Sequence, residues 1–268
     1  MNFKRFYLVE RDDLAKLSKA RAVAKQFESA LHKNFDVYLQ NFLSNVEPNI
    51  AKLKWVEIPF EEPLGKLRLV FPETDTDRGV EATYAPPASS NKYTATIRIY
   101  SKAYRVYVST IKDYTDKNDK VALRGIINSF KSFTSNLLKT SGIIHEISHA
   151  YDDVKFGALK ATPKNAELSK LNKTITAMED SPLKDKLIDR FHKDYINQAG
   201  EYNAEFIQAI NGIVQDLIDK KLTIKALKDF KVLEDEFWKN FKASRSSIKA
   251  SNVKRLQKRL YDFFTKLD

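Results

Sequence analysis

Ile143-Ile-His-Glu-Ile-Ser-His-Ala-Tyr-Asp-Asp153 is the stretch on which the reading of this chain turns. Ile143, Ile144, Ile147 and Ala150 are spaced for a buried helix. On such a helix His145 and His149 stand at i and i+4, one turn apart on the same face. Both imidazoles can then reach one ion while Glu146 projects beside it. The chain has four histidines, His32, His145, His149 and His192, and no cysteine. A metal here must therefore be held by imidazole and carboxylate. The two-histidine geometry fits a tetrahedral Zn2+ site with one open position. The competing reading is a helix whose histidines hydrogen-bond within the core and whose Glu146 pairs with a lysine.

Catalytic zinc takes three protein ligands and a water, so a third ligand is expected downstream. His192 is one candidate. Another lies in Asp194-Tyr-Ile-Asn-Gln-Ala-Gly-Glu-Tyr-Asn-Ala-Glu-Phe-Ile-Gln-Ala-Ile210, where Gly200 precedes an amphipathic helix. Glu201 and Glu205 stand one turn apart on one face of it. One of two carboxylates so placed can bind the metal while the other hydrogen-bonds a ligand histidine. A solvated acidic face would give the same spacing. Asp153, one turn after His149, can orient a ligand or cap the end of its helix.

Working outward, apolar residues recur every three or four positions from Asp12 to about Asn45, which predicts a long amphipathic helix, or two in series, ended by Pro48. Trp55-Val-Glu-Ile-Pro59, Leu67-Arg-Leu-Val-Phe71, Thr94-Ala-Thr-Ile-Arg-Ile-Tyr100 and Tyr104-Arg-Val-Tyr-Val108 have the alternation of short strands. The Pro-, Gly- and Ser-containing stretch from Pro72 to Lys92 predicts a long loop. From about Asp119 onward the pattern is helical, with interruptions near Phe156 to Pro163, at Ser181-Pro182 and at Gly200. The expected organisation is an amino-terminal helical segment over 1–48 and a catalytic domain over 49–268. Within that domain the sheet is expected at 52–110, the active-site helix at about 129–155 and a helical carboxy-terminal part at 164–268.

The composition fits a soluble globular chain. Over 268 residues, 43% are hydrophobic and 12% aromatic, enough for a core. No stretch has the length of a membrane span, and Met1 to Asp13 has no apolar run suited to a signal peptide, so a cytoplasmic location is expected and no membrane partner. The net charge of +11 would favour nucleic acid or anionic surfaces, although lysines on solvated helix faces give the same total. Trp238 to Lys266, where basic residues are interleaved with Phe241, Ile248, Leu256, Leu260 and Phe263, has the same two readings.

The blocks His145-Glu-Ile-Ser-His-Ala-Tyr-Asp-Asp153 and Glu201-Tyr-Asn-Ala-Glu-Phe-Ile207 resemble the zinc peptidase domain of anthrax lethal factor and the clostridial Pro-Pro endopeptidases. Those domains carry His-Glu-x-x-His-Ala-x-Asp and then a helix that begins Glu-Phe-Phe-Ala-Glu. Tyr195-Ile-Asn197 followed by Glu201-Tyr-Asn-Ala204 is also similar to a group of tailed-phage proteins. The resemblance covers Ile143 to Ile210. It implies an α+β, mostly helical, zincin-like metallopeptidase of the gluzincin type, with a small twisted sheet over the active-site helix. It implies Zn2+ held by His145, His149 and Glu201, with Glu146 as general base and Glu205 supporting a ligand. Tyr195, six residues before Glu201 where lethal factor has seven, would stabilise the oxyanion. The implied reaction is endopeptidase hydrolysis of a protein or peptide by a zinc-activated water. An extended substrate would pair with an edge strand, for which Thr94 to Tyr100 is the candidate. The start, Phe3-Lys-Arg-Phe-Tyr-Leu-Val-Glu10, resembles the leader that a prohead protease removes from tailed-phage virion proteins. That implies phage encoding, with the host cytoplasm or the virion as location. The alternatives are a virion structural or binding protein with a peptidase-like fold and little activity, and a basic DNA-associated protein.

Overall fold

The computed structural model describes residues 13–74, 81–87, 94–156, 163–241, 243 and 245–265. The leader-like segment ending at Glu10 lies outside them, as does much of the expected loop. Among the described residues helices dominate, with one small mixed sheet, which makes the chain α+β. Its contacts divide it into two units, Ser18–Val154 and a second made of Lys155–Asp268 with the residues up to Leu17.

In the first unit, α1 (Asp13–Leu43) contributes all but its opening turn. Phe27, Leu31 and Phe35 form its buried stripe, and Asn45 ends it at a left-handed φ of 58°. Val46 N donates to Asn41 O and Asn45 N to Phe42 O, so the turn pairs carbonyls that the helix leaves open. Four strands follow: β1 (Trp55–Pro59), β2 (Lys66–Val70), β3 (Ala82–Ala85) and β4 (Ala95–Ile99). Their order is β1-β2-β4-β3, with β2 and β4 parallel and the other pairs antiparallel. Val56, Ile58, Leu67, Leu69, Ala95 and Ile97 share the buried face. The opposite face is polar, and there Glu57 accepts from Lys66 at 3.1 Å and from Arg68 at 3.0 Å.

The order corrects one expectation. Thr94 to Tyr100 contains β4, an interior strand paired on both sides; among the described residues the edge strands are β1 and β3. β3 lies inside the stretch read as a loop.

Tyr104 to Val108 is also not a strand. It belongs to α2 (Lys102–Asp116), capped by Ser101, whose Oγ accepts from Tyr104 N at 3.1 Å. Tyr104, Val108 and Ile111 are its buried positions, at i, i+4 and i+7. The single helix expected over about 129–155 is two, α3 (Lys120–Leu138) and α4 (Ser141–Phe156). The core joins Phe35, Phe71, Tyr104 and Phe130. Phe71 stacks on Tyr104 at 3.4 Å between ring centres, and Phe130 lies 4.6 Å from Phe35 and 4.7 Å from Tyr104.

The second unit is helical among the described residues: α5 (Pro163–Ala177), α6 (Pro182–Ile196), α7 (Ala199–Ile218), α8 (Ile224–Leu227), α9 (Phe230–Asn240) and α10 (Ala250–Phe264). Ser181 caps α6, with Pro182 in the first turn, where a missing N–H costs nothing. The centre of the unit is α7, where Ala204, Phe206, Ile207, Ala209, Ile210 and Ile213 are fully buried. It packs closely on α9, and a methyl on Gly212 would overlap the Asn240 side chain. The basic carboxy-terminal stretch is not one helix but the end of α9, a 3-10 turn at Arg245–Ser247 and α10. Arg259 is 3% exposed. It donates to both Asp13 oxygens, at 2.8 and 3.1 Å, and to Asn203 Oδ1 at 3.0 Å.

Candidate metal centre

Helix α4 is buried nearly all round. Ile143, Ile144, Ile147 and Ala150 are apolar and inside, and so are His145, Ser148, His149, Asp152 and Asp153. Apolar packing alone would not place so many polar groups there, because each must recover the hydrogen bonds it gave up to water. Ser148 does so within the helix, its Oγ donating to Ile144 O at 2.8 Å. Glu146 is half-buried.

The two histidines converge as the i, i+4 spacing requires, with Nε2 of His149 3.1 Å from Nε2 of His145. Two zinc–nitrogen bonds of about 2.05 Å meeting at a tetrahedral angle span roughly 3.3 Å. The imidazole pair therefore fits one ion, and the donor set of nitrogen and carboxylate oxygen is one that zinc accepts. With Glu201 the pair makes up a His-His-Glu group that can hold a metal ion.

Asp153, 1% exposed, accepts a hydrogen bond from the Tyr84 hydroxyl at 2.7 Å. Tyr84 stands on β3 opposite Ile97, so its side chain shares the buried face of the sheet. Its ring lies nearly parallel to the His149 imidazole, 21° between planes and 6.4 Å between centres. Burial first, and then Asp153, push the Tyr84 phenol far above its usual value, so it remains a donor at any pH where the protein works. The sequence reading missed Tyr84, which sits in a four-residue strand inside a presumed loop. The signal that was available was a lone aromatic between two small residues, Ala82-Thr-Tyr-Ala85.

Tyr151 and Tyr202 pack. Tyr151 lies against Phe60 at 4.9 Å, and burial raises its hydroxyl to about 12.

On α7, Glu201 falls in the first turn, where the helix dipole favours negative charge, and Glu205 follows one turn later and is buried. The residues between them explain how the carboxylates are presented. The Tyr202 hydroxyl donates to Asn252 O at 2.7 Å, and Asn203 accepts from Arg259. Just upstream, Asn197 donates to Ser247 O at 3.0 Å and accepts from Lys249 N and Asn252 Nδ2 at 3.1 Å. Asn197, Tyr202 and Asn203 thus tie the start of α7 to the segment from Ser247 to Arg259.

Tyr195, near the end of α6, is 40% exposed, with its ring stacked on Phe191 at 5.9 Å. His192, the other candidate third ligand, is exposed on the same helix and outside the metal-holding group. His32 bonds Lys131 O and Thr134 Oγ1, each at 3.1 Å. Among the described residues, no helix is long and apolar enough to cross a membrane. Compared with known proteins, the chain matches no family model, no curated protein and no solved structure.

Proposed function

We propose that the chain is a zinc-dependent endopeptidase with a zincin-like fold, in which His145, His149 and Glu201 hold the metal. The observation that carries this reading is the 3.1 Å convergence of two imidazole nitrogens on a buried helix, with a glutamate between them in sequence. Zinc, when bound, would supply Lewis acidity for the peptide carbonyl and lower the pKa of water toward neutrality.

The chain's own residues do the rest. Glu146 takes the proton of the attacking water and returns it to the leaving amine. Glu205 supports a ligand histidine, Asp153 orients one from a turn away, and Tyr195 donates to the oxyanion. Among the described residues β3 is an edge strand, and it carries Tyr84 onto α4, so it replaces β4 as the strand along which an extended peptide would pair.

The burial of Arg259 against Asp13 removes one cation from the tail that suggested DNA binding, and that alternative gains no support here.

The test is metal analysis of protein purified without chelator, followed by digestion of a mixed peptide library. One zinc per chain, lost in Glu201→Ala, with cleavage abolished in Glu146→Gln, is the expected result. Absence of zinc even after it is added back would overturn the reading.

A further inference from the structure

We propose that Tyr84 is a positioning residue for His149, fixing the imidazole with its ring and, through Asp153, with its hydroxyl. The inference rests on the metal-centre reading above and extends it to a residue on a different element. Tyr84 reaches α4 in two ways: its ring lies along the His149 ring, and its hydroxyl ends on the Asp153 carboxylate at 2.7 Å. His149 and Asp153 are one helical turn apart, so one side chain from β3 touches successive positions of one face.

Packing alone does not account for this choice. A phenylalanine at 84 facing an apolar residue at 153 would fill the same space without desolvating a phenol and a carboxylate. What the hydroxyl adds is direction. It donates to one oxygen of Asp153 and so orients the carboxylate, and a carboxylate so oriented can accept an imidazole N–H from one turn back. An imidazole whose second nitrogen is so held presents Nε2 as a lone-pair donor in one fixed orientation, the state a metal requires. β3 is held to β4 by pairs from Ala82 to Ala85, so the tyrosine is anchored in a sheet.

The experiment compares wild type, Tyr84→Phe and Asp153→Asn in full-length protein by zinc competition against a chromophoric chelator. Thermal melting of the chelator-stripped proteins and the visible spectrum after cobalt loading complete the comparison. The expected result for Tyr84→Phe is zinc affinity lower by roughly ten- to a hundred-fold with a shifted cobalt spectrum, while the stripped protein melts within a few degrees of wild type. Asp153→Asn should weaken zinc by a similar factor, and the double variant by little more than either alone. Unchanged affinity and spectrum in Tyr84→Phe, with wild type binding zinc normally, would overturn the inference and leave the metal centre standing. A drop in affinity matched by collapse of the stripped protein's melting would also overturn it, because the role would then be structural. Failure of wild type to bind zinc would overturn both.

Discussion

Arg259 and the pair His145 and His149 are both buried polar groups, and they are satisfied in opposite ways. Arg259 has opposite charge in front of it and an aromatic face beneath. It makes a two-point contact with Asp13, a third bond to Asn203, and lies 3.9 Å over the Phe206 ring. Each partner complements it, so the cluster is closed. The histidines present like to like, two ring nitrogens facing each other at 3.1 Å. Between themselves they can share one proton, and with Glu201 they form a group that can hold a metal ion. A buried polar cluster that is complementary inside itself supports the fold. One whose ring nitrogens converge on a common point can hold an ion.

The difference can be broken by mutation. Arg259→Ala strands the Asp13 carboxylate in the interior and should cost about 3–5 kcal/mol of unfolding free energy. Asp13→Leu combined with Arg259→Met should recover much of that loss, and chemical denaturation of the three proteins reads both effects. If the double variant were no better than the single one, charge complementarity would not be what closes the cluster. At the histidine site the effect should fall on chemistry instead. Glu146→Gln is expected to slow peptide hydrolysis by about 10²–10⁴-fold with zinc content and melting temperature little changed. A large loss of stability there would mean that Glu146 belongs to the fold.

Contacts of other kinds calibrate the scale. Gly212→Ala drives a methyl into Asn240, whose amide is itself held by Glu236 O at 2.9 Å. About 1–3 kcal/mol of destabilisation is expected, with no change in metal binding. Smallest of all is the solvated cluster on the sheet. The Lys66 hydrogen bond first, and Arg68 after it, hold the Glu57 carboxyl below its usual 4.5, against some desolvation. Since the folded value is the lower one, that stabilisation is complete above pH 4.5 and disappears as the pH falls through the folded value. Glu57→Gln should therefore cost no more than about 0.5 kcal/mol near neutrality and flatten the acid limb of the stability curve. An effect as large as that of Arg259→Ala would erase the contrast between buried and exposed pairs.

What could be read in the sequence follows the range of the interaction that decides it. The histidine pair is fixed by helical geometry over four residues, so its convergence was legible. So was α1, whose stripe of Phe27, Leu31 and Phe35 repeats over many turns. At Tyr104 to Val108 the alternation of aromatic and β-branched residues argued for a strand, and the serine cap at 101 with burial at 104, 108 and 111 decided for a helix. β3 is too short to announce itself and exists through its pairing with β4. The interior position of β4 depends on its parallel pairing with β2, and nothing local encodes that order. Tyr84 was hidden for the same reason. Its two partners on α4 lie 65 and 69 positions away in the chain.

The bond from Arg259 to Asp13 joins positions 246 residues apart. During translation at about 5–20 residues per second, Asp13 leaves the ribosome roughly 10–50 s before its partner has been made. For that interval the opening turn of α1 has its carboxylate in water, and α7 lacks the α10 segment that Asn197, Tyr202 and Asn203 grip. Completion of the carboxylate-bearing unit is therefore a late, post-elongation event, and a nascent chain stalled before residue 259 should be cut by added protease in α7 well before the sheet is attacked.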